Sequence, residues 1–254
     1  MPSLNSITEP DDVSSDAFSY DADGNTGCLL IHGFTGTPWV LRELGKKLAE
    51  QGVAVEAPLL AGHGGEKQDL NRVKWQEWYK QCLEAYQRLC NQKKYVSCIG
   101  FSMGGSLALM LAAEKPCQKL VTISAPIRID NKWLHFLPFF QLFIKYIKKS
   151  WLGVHRSIES YIGYDCYPTR ALAEYCQVIE HAKTKVRHIQ CPTLILHGKN
   201  DHTVPVTNAE EIYRKIGSDQ KYLKLLDAGS HNLLLRASKT AVIDEILSFI
   251  IDRV

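Results

Sequence analysis

Ser102 stands in the run Gly100-Phe101-Ser102-Met103-Gly104-Gly105, a Gly-x-Ser-x-Gly pattern. A serine hydroxyl is a poor nucleophile near neutral pH. It needs a base to accept its proton, and the base needs an acid to orient it. Imidazole suits the base role because it titrates close to neutrality. Of the nine histidines, His231 in Asp227-Ala228-Gly229-Ser230-His231 follows the last apolar run of strand type, Tyr222 to Leu226. That places it at the same sheet edge as Ser102. Asp201, in His197-Gly198-Lys199-Asn200-Asp201-His202-Thr203-Val204-Pro205, follows the run Pro192 to His197 in the same way. Such a serine, histidine and aspartate suit attack on an acyl carbonyl, which leaves negative charge on oxygen and calls for two preorganised donors. The backbone N–H of Met103 is one candidate, at a helix start whose dipole adds to it. The N–H of Phe34, from the loop His32-Gly33-Phe34, is the other, and its ring also suits a pocket wall.

Competing assignments are few. Asp227 lies only four residues from His231 and suits holding that loop, and Asp130 follows the strand before an irregular stretch. His202 adjoins Asp201, but adjacent side chains point apart, so it reads as a polar loop residue. His63, between glycines, is expected to stabilise its loop or line a pocket. His32, at a strand end, is expected to hold a buried hydrogen bond. The bland alternative for Ser102 itself is an N-cap.

These residues need a scaffold. Tyr95 to Ile99 reads as a buried strand, and Ser106 to Ala113 as a buried helix that stops before Pro116. A strand that turns at once into a helix strains the residue at its apex, at a cost of about 1–3 kcal/mol, and glycines around it relieve the crowding. Upstream, Ala17 to Tyr20 suits an edge strand and Cys28 to Ile31 a buried one. Thr37 suits an N-cap with Pro38 at the first helical position, and Leu41, Leu44 and Leu48 recur at helical spacing until Gly52. Val53 to Ala57 reads as a second central strand. A long amphipathic helix follows, with Trp75, Trp78, Tyr79, Cys82, Tyr86, Leu89 and Cys90 on one face. Lys119 to Ser124 is another strand. The alternation then breaks: residues 127–190 hold no clear strand and read as aromatic and helical. It resumes at Pro192, with a capping-box pattern at Thr207 to Glu210 and a closing helix carrying Val242, Ile243, Ile246, Leu247 and Ile250.

Apolar strands alternating with helices imply an α/β fold with a mostly parallel sheet covered on both faces. Ligands bind beyond the carboxyl ends of such strands, and the irregular stretch after Ser124 is placed to roof that region. Within it, Gln141, Lys145, Lys148 and Lys149 fall on one side of a helix expected over Phe139 to Lys149, with Phe139, Phe140, Leu142, Phe143, Tyr146 and Ile147 on the rest. That helix is expected to line an acyl pocket, to rest on a membrane surface or simply to pack on the core.

Composition narrows the class. The chain has 254 residues, 45% hydrophobic and 22% charged, as for an ordinary globular domain. A net charge of +3, with scattered lysines and arginines, argues against nucleic acid. No Gly-x-Gly-x-x-Gly follows a strand, which weakens a nucleotide reading. The eight cysteines include no Cys-x-x-Cys, and Cys28, Cys82, Cys98 and Cys176 sit in apolar runs, so reduced thiols in a cytoplasmic protein are expected rather than disulfides or a metal site. Residues 1–15 read as a polar, flexible lead-in, not a signal peptide. The longest apolar region, Trp133 to Ile147, is broken by Pro138 and is too short to span a bilayer.

The motifs His32-Gly33-Phe34-Thr35-Gly36, Ala61-Gly62-His63-Gly64, Gly100-Phe101-Ser102-Met103-Gly104-Gly105, Asp201-His202-Thr203-Val204-Pro205 and Gly229-Ser230-His231 occur in that order. Together they resemble the bacterial carboxylesterase and monoacylglycerol lipase branch of the α/β-hydrolase superfamily, over roughly Ala17 to the C-terminus. The chain order Ser, Asp, His agrees with that resemblance. It implies an α/β-hydrolase core over 16–126 and 181–254, and a small helical cap inserted over 127–180. It also implies a serine hydrolase of short- to medium-chain acyl esters with no cofactor and no metal, with Ser102, Asp201 and His231 catalytic and Phe34 and Met103 as oxyanion donors. A monoacylglycerol lipase or a thioesterase is the alternative within enzymes, and a non-catalytic ligand-binding protein on the same fold is the alternative outside them. The expected partner is a small acyl ester, with no nucleic acid, at most marginal membrane contact, and a monomer or weak homodimer.

Overall fold

A computed structural model describes residues 16–130, 134, 136–149, 163–227, 230–235 and 239–252. The lead-in expected over 1–15, much of the stretch 127–180 and Gly229 of the His231 loop therefore lie outside the described residues. Nine strands are described: β1 (Phe18–Tyr20), β2 (Thr26–Ile31), β3 (Ala54–Ala57), β4 (Tyr95–Phe101), β5 (Leu120–Ile123), β6 (Tyr146–Lys148), β7 (Cys166–Pro168), β8 (Thr193–Gly198) and β9 (Lys221–Leu226). The helices are α1 (Arg42–Glu50), α2 (Lys67–Leu70), α3 (Trp75–Gln92), α4 (Met103–Glu114), α5 (Leu137–Phe140), α6 (Thr169–Lys185), α7 (Thr207–Lys215) and α8 (Lys239–Ile251).

Seven strands form one sheet in the order β1-β3-β2-β4-β5-β8-β9. The edge strand β1 runs antiparallel to β3, and every other pairing is parallel. The strand expected at Val53 to Ala57 thus lies one in from the edge rather than at the centre. Alternate residues go to opposite faces. Leu29, Ile31, Cys98, Leu120 and Ile195 join a core with α3, α4, α6 and α7. Cys28, Leu30, Ile99, Val121, Leu194 and Leu196 join the other core, under α1 and α8. Both faces being covered explains why the strands read as nearly continuous apolar runs. Helix α4 is buried on all sides, as its composition implies. Among the described residues no helix is long and apolar enough to cross a membrane.

Four local expectations are corrected. The stretch 127–190 does contain strands: β6 and β7 pair antiparallel, Tyr146 opposite Pro168. The helix expected over Phe139 to Lys149 is only the single turn of α5. Tyr146 and Ile147, good strand formers, find partners in Pro168 and Tyr167, and that pairing overrides the helical spacing. At α7 the cap position is Val206, and the Thr207 hydroxyl accepts from the Arg128 guanidinium, so no capping box forms. Cys90 is exposed rather than on the buried face of α3.

Candidate active site

Ser102 sits between the last residue of β4 and the first of α4, with φ 53° and ψ −120°. Its surroundings explain how the chain tolerates that left-handed backbone. A Cβ on Gly100 would lie 2.1 Å from the Gly104 carbonyl oxygen, and one on Gly104 would lie 2.0 Å from the Ile31 carbonyl oxygen. The turn therefore closes only with glycine at both positions. Ser102 occupies the N-cap position of α4, yet its hydroxyl makes no cap bond. It lies 3.0 Å from His231 Nε2 instead.

The His231 ring Nδ1 lies 2.8 Å from Asp201 Oδ2, so that Nδ1–H donates to the carboxylate and Nε2 is left facing the Ser102 hydroxyl. The loop after β8 shapes itself around the acid: Asp201 Oδ1 accepts from the backbone N–H of Thr203 and of Val204, both at 2.8 Å. Burial pushes the Asp201 carboxyl up, but the facing charge of His231 and hydrogen bonds from His197, His231 and Val204 N–H more than offset it and hold it well below the usual carboxylate range. The histidine loop is tied down from below, where the Ser124 hydroxyl at the end of β5 donates to the His231 carbonyl at 2.8 Å. The Phe101 ring packs against the His231 ring at 5.3 Å.

Phe34 and Met103 flank the same serine from two loops, β2–α1 and β4–α4. Among the described residues, neither backbone N–H has a protein acceptor in the turns and loops that hold them. His32 braces the first loop. Its ring accepts from Leu60 N–H at 3.1 Å through Nε2 and donates to the Gly33 carbonyl at 2.9 Å through Nδ1. His63 is a loop brace too, with Nδ1 3.2 Å from the carbonyls of Leu60 and Ala61, and it does not line the pocket. Burial pushes His32 down to about 4 and holds His63 well below its usual value, with His32 adding to the effect on His63.

The rival acids go elsewhere. Asp227 is exposed and paired with Lys199 at 2.5 Å. Asp130 binds Arg128 at 2.6 Å and accepts from Asn208. His202 is exposed at the pocket mouth. Above Ser102 and His231 lies a cavity of about 300 Å³. Phe34, Leu134, Tyr167, Leu172, Tyr175 and Ile179 give it apolar walls, while Arg128, Asp130 and Lys149 mark its rim. The Tyr175 ring stacks on Phe34 at 4.9 Å. The expectation that Phe139 to Phe143 line this pocket is corrected: Phe139 and Phe143 are 63% and 75% exposed. Spacing along the chain gave no sign of the parts played here by Ser124, Tyr175 and His197.

Comparison with known proteins agrees with this geometry. A family model described as "Alpha/beta hydrolase family" matches residues 28–245. A thermostable monoacylglycerol lipase of Bacillus sp. (strain H-257) is 31% identical over 91% of this chain and 92% of its own length. A carboxylesterase of Bacillus subtilis (strain 168) is 25% identical over 89% of this chain and 93% of its own. Among solved structures, one described under the metagenome-derived lipolytic enzymes LipS and LipT superposes with a TM-score of 0.85 at 27% identity, covering 93% of this chain and 97% of that one.

Proposed function

The chain belongs to the alpha/beta hydrolase family and is a carboxylic ester hydrolase, and from that premise we propose that it cleaves short- to medium-chain acyl esters through an acyl-enzyme on Ser102. One observation supports this reading above the rest: the unbroken relay from Ser102 Oγ to His231 Nε2 at 3.0 Å and from His231 Nδ1 to Asp201 Oδ2 at 2.8 Å. His231 takes the serine proton as Oγ attacks the acyl carbonyl, then delivers it to the leaving alcohol. Asp201 holds the ring in the tautomer that permits this and balances the imidazolium. The N–H groups of Phe34 and Met103 receive the oxyanion, each worth about 3 kcal/mol to the transition state. Water activated by His231 then attacks the acyl-enzyme and releases the acid.

The segment 127–180 acts in this reading as a cap, because Ile129, Leu134, Tyr167, Leu172 and Tyr175 from it wall the cavity. Apolar walls suit an acyl chain. All eight cysteines are free, which suits a reducing, cytoplasmic setting. A second reading, hydrolysis of monoacylglycerols, is favoured by the 31% identity to a monoacylglycerol lipase. Hydrolysis of p-nitrophenyl esters of rising chain length, alongside a monoacylglycerol of matched acyl chain, separates the two. The ester reading expects kcat/KM to peak at short to medium chains and to exceed that for the monoacylglycerol. The opposite ranking supports the second reading, and activity unchanged in Ser102→Ala contradicts both.

A further inference from the structure

We propose that His197 is a positioning residue for Asp201, its Nε2–H steadying the carboxylate oxygen that His231 uses; this rests on the relay reading above. His197 lies near the end of β8 with its ring fully buried. Its Nε2 is 2.8 Å from the Val204 carbonyl oxygen and 3.3 Å from Asp201 Oδ2. A carbonyl oxygen only accepts, so Nε2 carries the proton and shares it between the two oxygens. Nδ1 is then a bare nitrogen, and among the described residues it is buried without a partner.

That arrangement is costly for a packing residue. An unmatched buried polar atom forfeits its hydration with nothing in return, and an apolar side chain, such as those of the preceding strand residues Leu194, Ile195 and Leu196, would avoid it. What such a side chain would not supply is the donor. With it, Asp201 has two donors facing each oxygen: Thr203 and Val204 N–H bonded to Oδ1, and at Oδ2 the His231 hydrogen bond beside the longer 3.3 Å approach of His197 Nε2. Without it, Oδ2 answers to His231 alone, and the carboxylate is freer to turn about its Cβ–Cγ bond.

Two signatures follow, and packing alone produces neither. A looser carboxylate misaligns the relay, so kcat falls while KM holds, because His197 does not line the pocket. An oxygen relieved of one donor also becomes a stronger acceptor for the His231 imidazolium, so the acid limb of the pH profile moves up. The titratable groups facing this pair are the Ser102 hydroxyl from the β4–α4 turn, His197 from β8 and the Tyr175 phenol from α6, with His202 at the mouth.

The test compares full-length His197→Gln, His197→Asn and His197→Phe with Asp201→Asn, using p-nitrophenyl butyrate. The glutamine amide reaches the place of Nε2, whereas the shorter asparagine amide does not. Phenylalanine and asparagine are expected to lower kcat about tenfold, with KM within twofold and the acid limb of kcat/KM raised by about half a pH unit. Glutamine is expected to recover most of kcat and the original profile. Should phenylalanine fail to fold, the glutamine–asparagine pair decides. The proposal is overturned if asparagine and phenylalanine lower only the Tm, or if glutamine fares no better than asparagine. Asp201→Asn separates the levels: full activity there removes the relay itself, whereas an inactive Asp201→Asn beside a normal His197→Phe removes only the role of His197.

Discussion

The loops at the carboxyl ends of β2, β4 and β8 and the stretch 136–149 lie on the same side of the sheet, yet they are built to different standards. In the loops, the residues that set the site are buried and tied down: Asp201 carries hydrogen bonds on both oxygens, His32 uses both ring nitrogens, and Gly100 and Gly104 sit where no Cβ fits. In the stretch, Phe136, Phe139, Leu142 and Phe143 are each more than half exposed, and order comes from one helical turn and a three-residue strand pair. Chemistry that depends on positions held to a few tenths of an ångström belongs to the first region. The second tolerates change; the inward wall of the cavity comes instead from Leu134, Tyr167 and Leu172, outside that stretch.

Substitutions sharpen that contrast. Gly104→Ala drives a methyl carbon to 2.0 Å from the Ile31 carbonyl oxygen and is expected to cost upwards of 4 kcal/mol, read as loss of the cooperative unfolding transition; a soluble variant with near-normal Tm would mean that the loops are softer than described. Next comes pH. His32 is neutral in the folded protein because burial depresses it to about 4, and its Nε2 accepts from Leu60 N–H, so protonation would set donor against donor. The unfolded chain takes up that proton first, near pH 6.5. Stability is therefore complete above about 6.5 and is lost as pH falls from there towards 4, by roughly 3 kcal/mol for His32, with His63 acting in the same direction. Urea unfolding at pH 7.5, 6, 5 and 4.5 measures this, and a flat profile would show that the histidines are not buried neutral.

Leu172→Ala removes an inward wall of the cavity. An expected loss of about 2–3 kcal/mol should come with a shift of chain-length preference towards longer or bulkier acyl groups, read from the p-nitrophenyl series. Phe143→Ala, at 75% exposure, should change stability by less than about 0.5 kcal/mol and leave that preference alone. Equal effects from the two would erase the distinction between the cavity wall and the exposed stretch.

The same contrast governs what can be read from sequence. The elbow was legible because its pattern is compact: Gly100, Ser102, Gly104 and Gly105 fall within six residues, although Gly104 and Gly105 make room for Ile31 and Ala125 from neighbouring segments. Asp201 and His231 were legible because each follows a strand, and a parallel sheet brings such ends together. His197 was not, since a histidine ending an apolar run looks like any core histidine until the carboxylate four residues on folds back beside it. Over 139–149 the pattern misled. Helical spacing arose across what is a turn, and the partner that makes Tyr146 to Lys148 a strand lies about twenty residues downstream, at Cys166 to Pro168. Thr207 misled for a similar reason, because the cap bond lost to Arg128, a competitor remote in sequence.

The relay itself is tested most directly by labelling. A fluorophosphonate probe reacts with a serine only when its proton is drawn off by a neighbouring base, and peptide mapping then locates the adduct. One adduct per chain is expected, on Ser102, absent in Ser102→Ala and formed about 10³-fold more slowly in His231→Gln. An adduct on another residue, or labelling of His231→Gln at the unaltered rate, would contradict the assignment of Ser102 and His231.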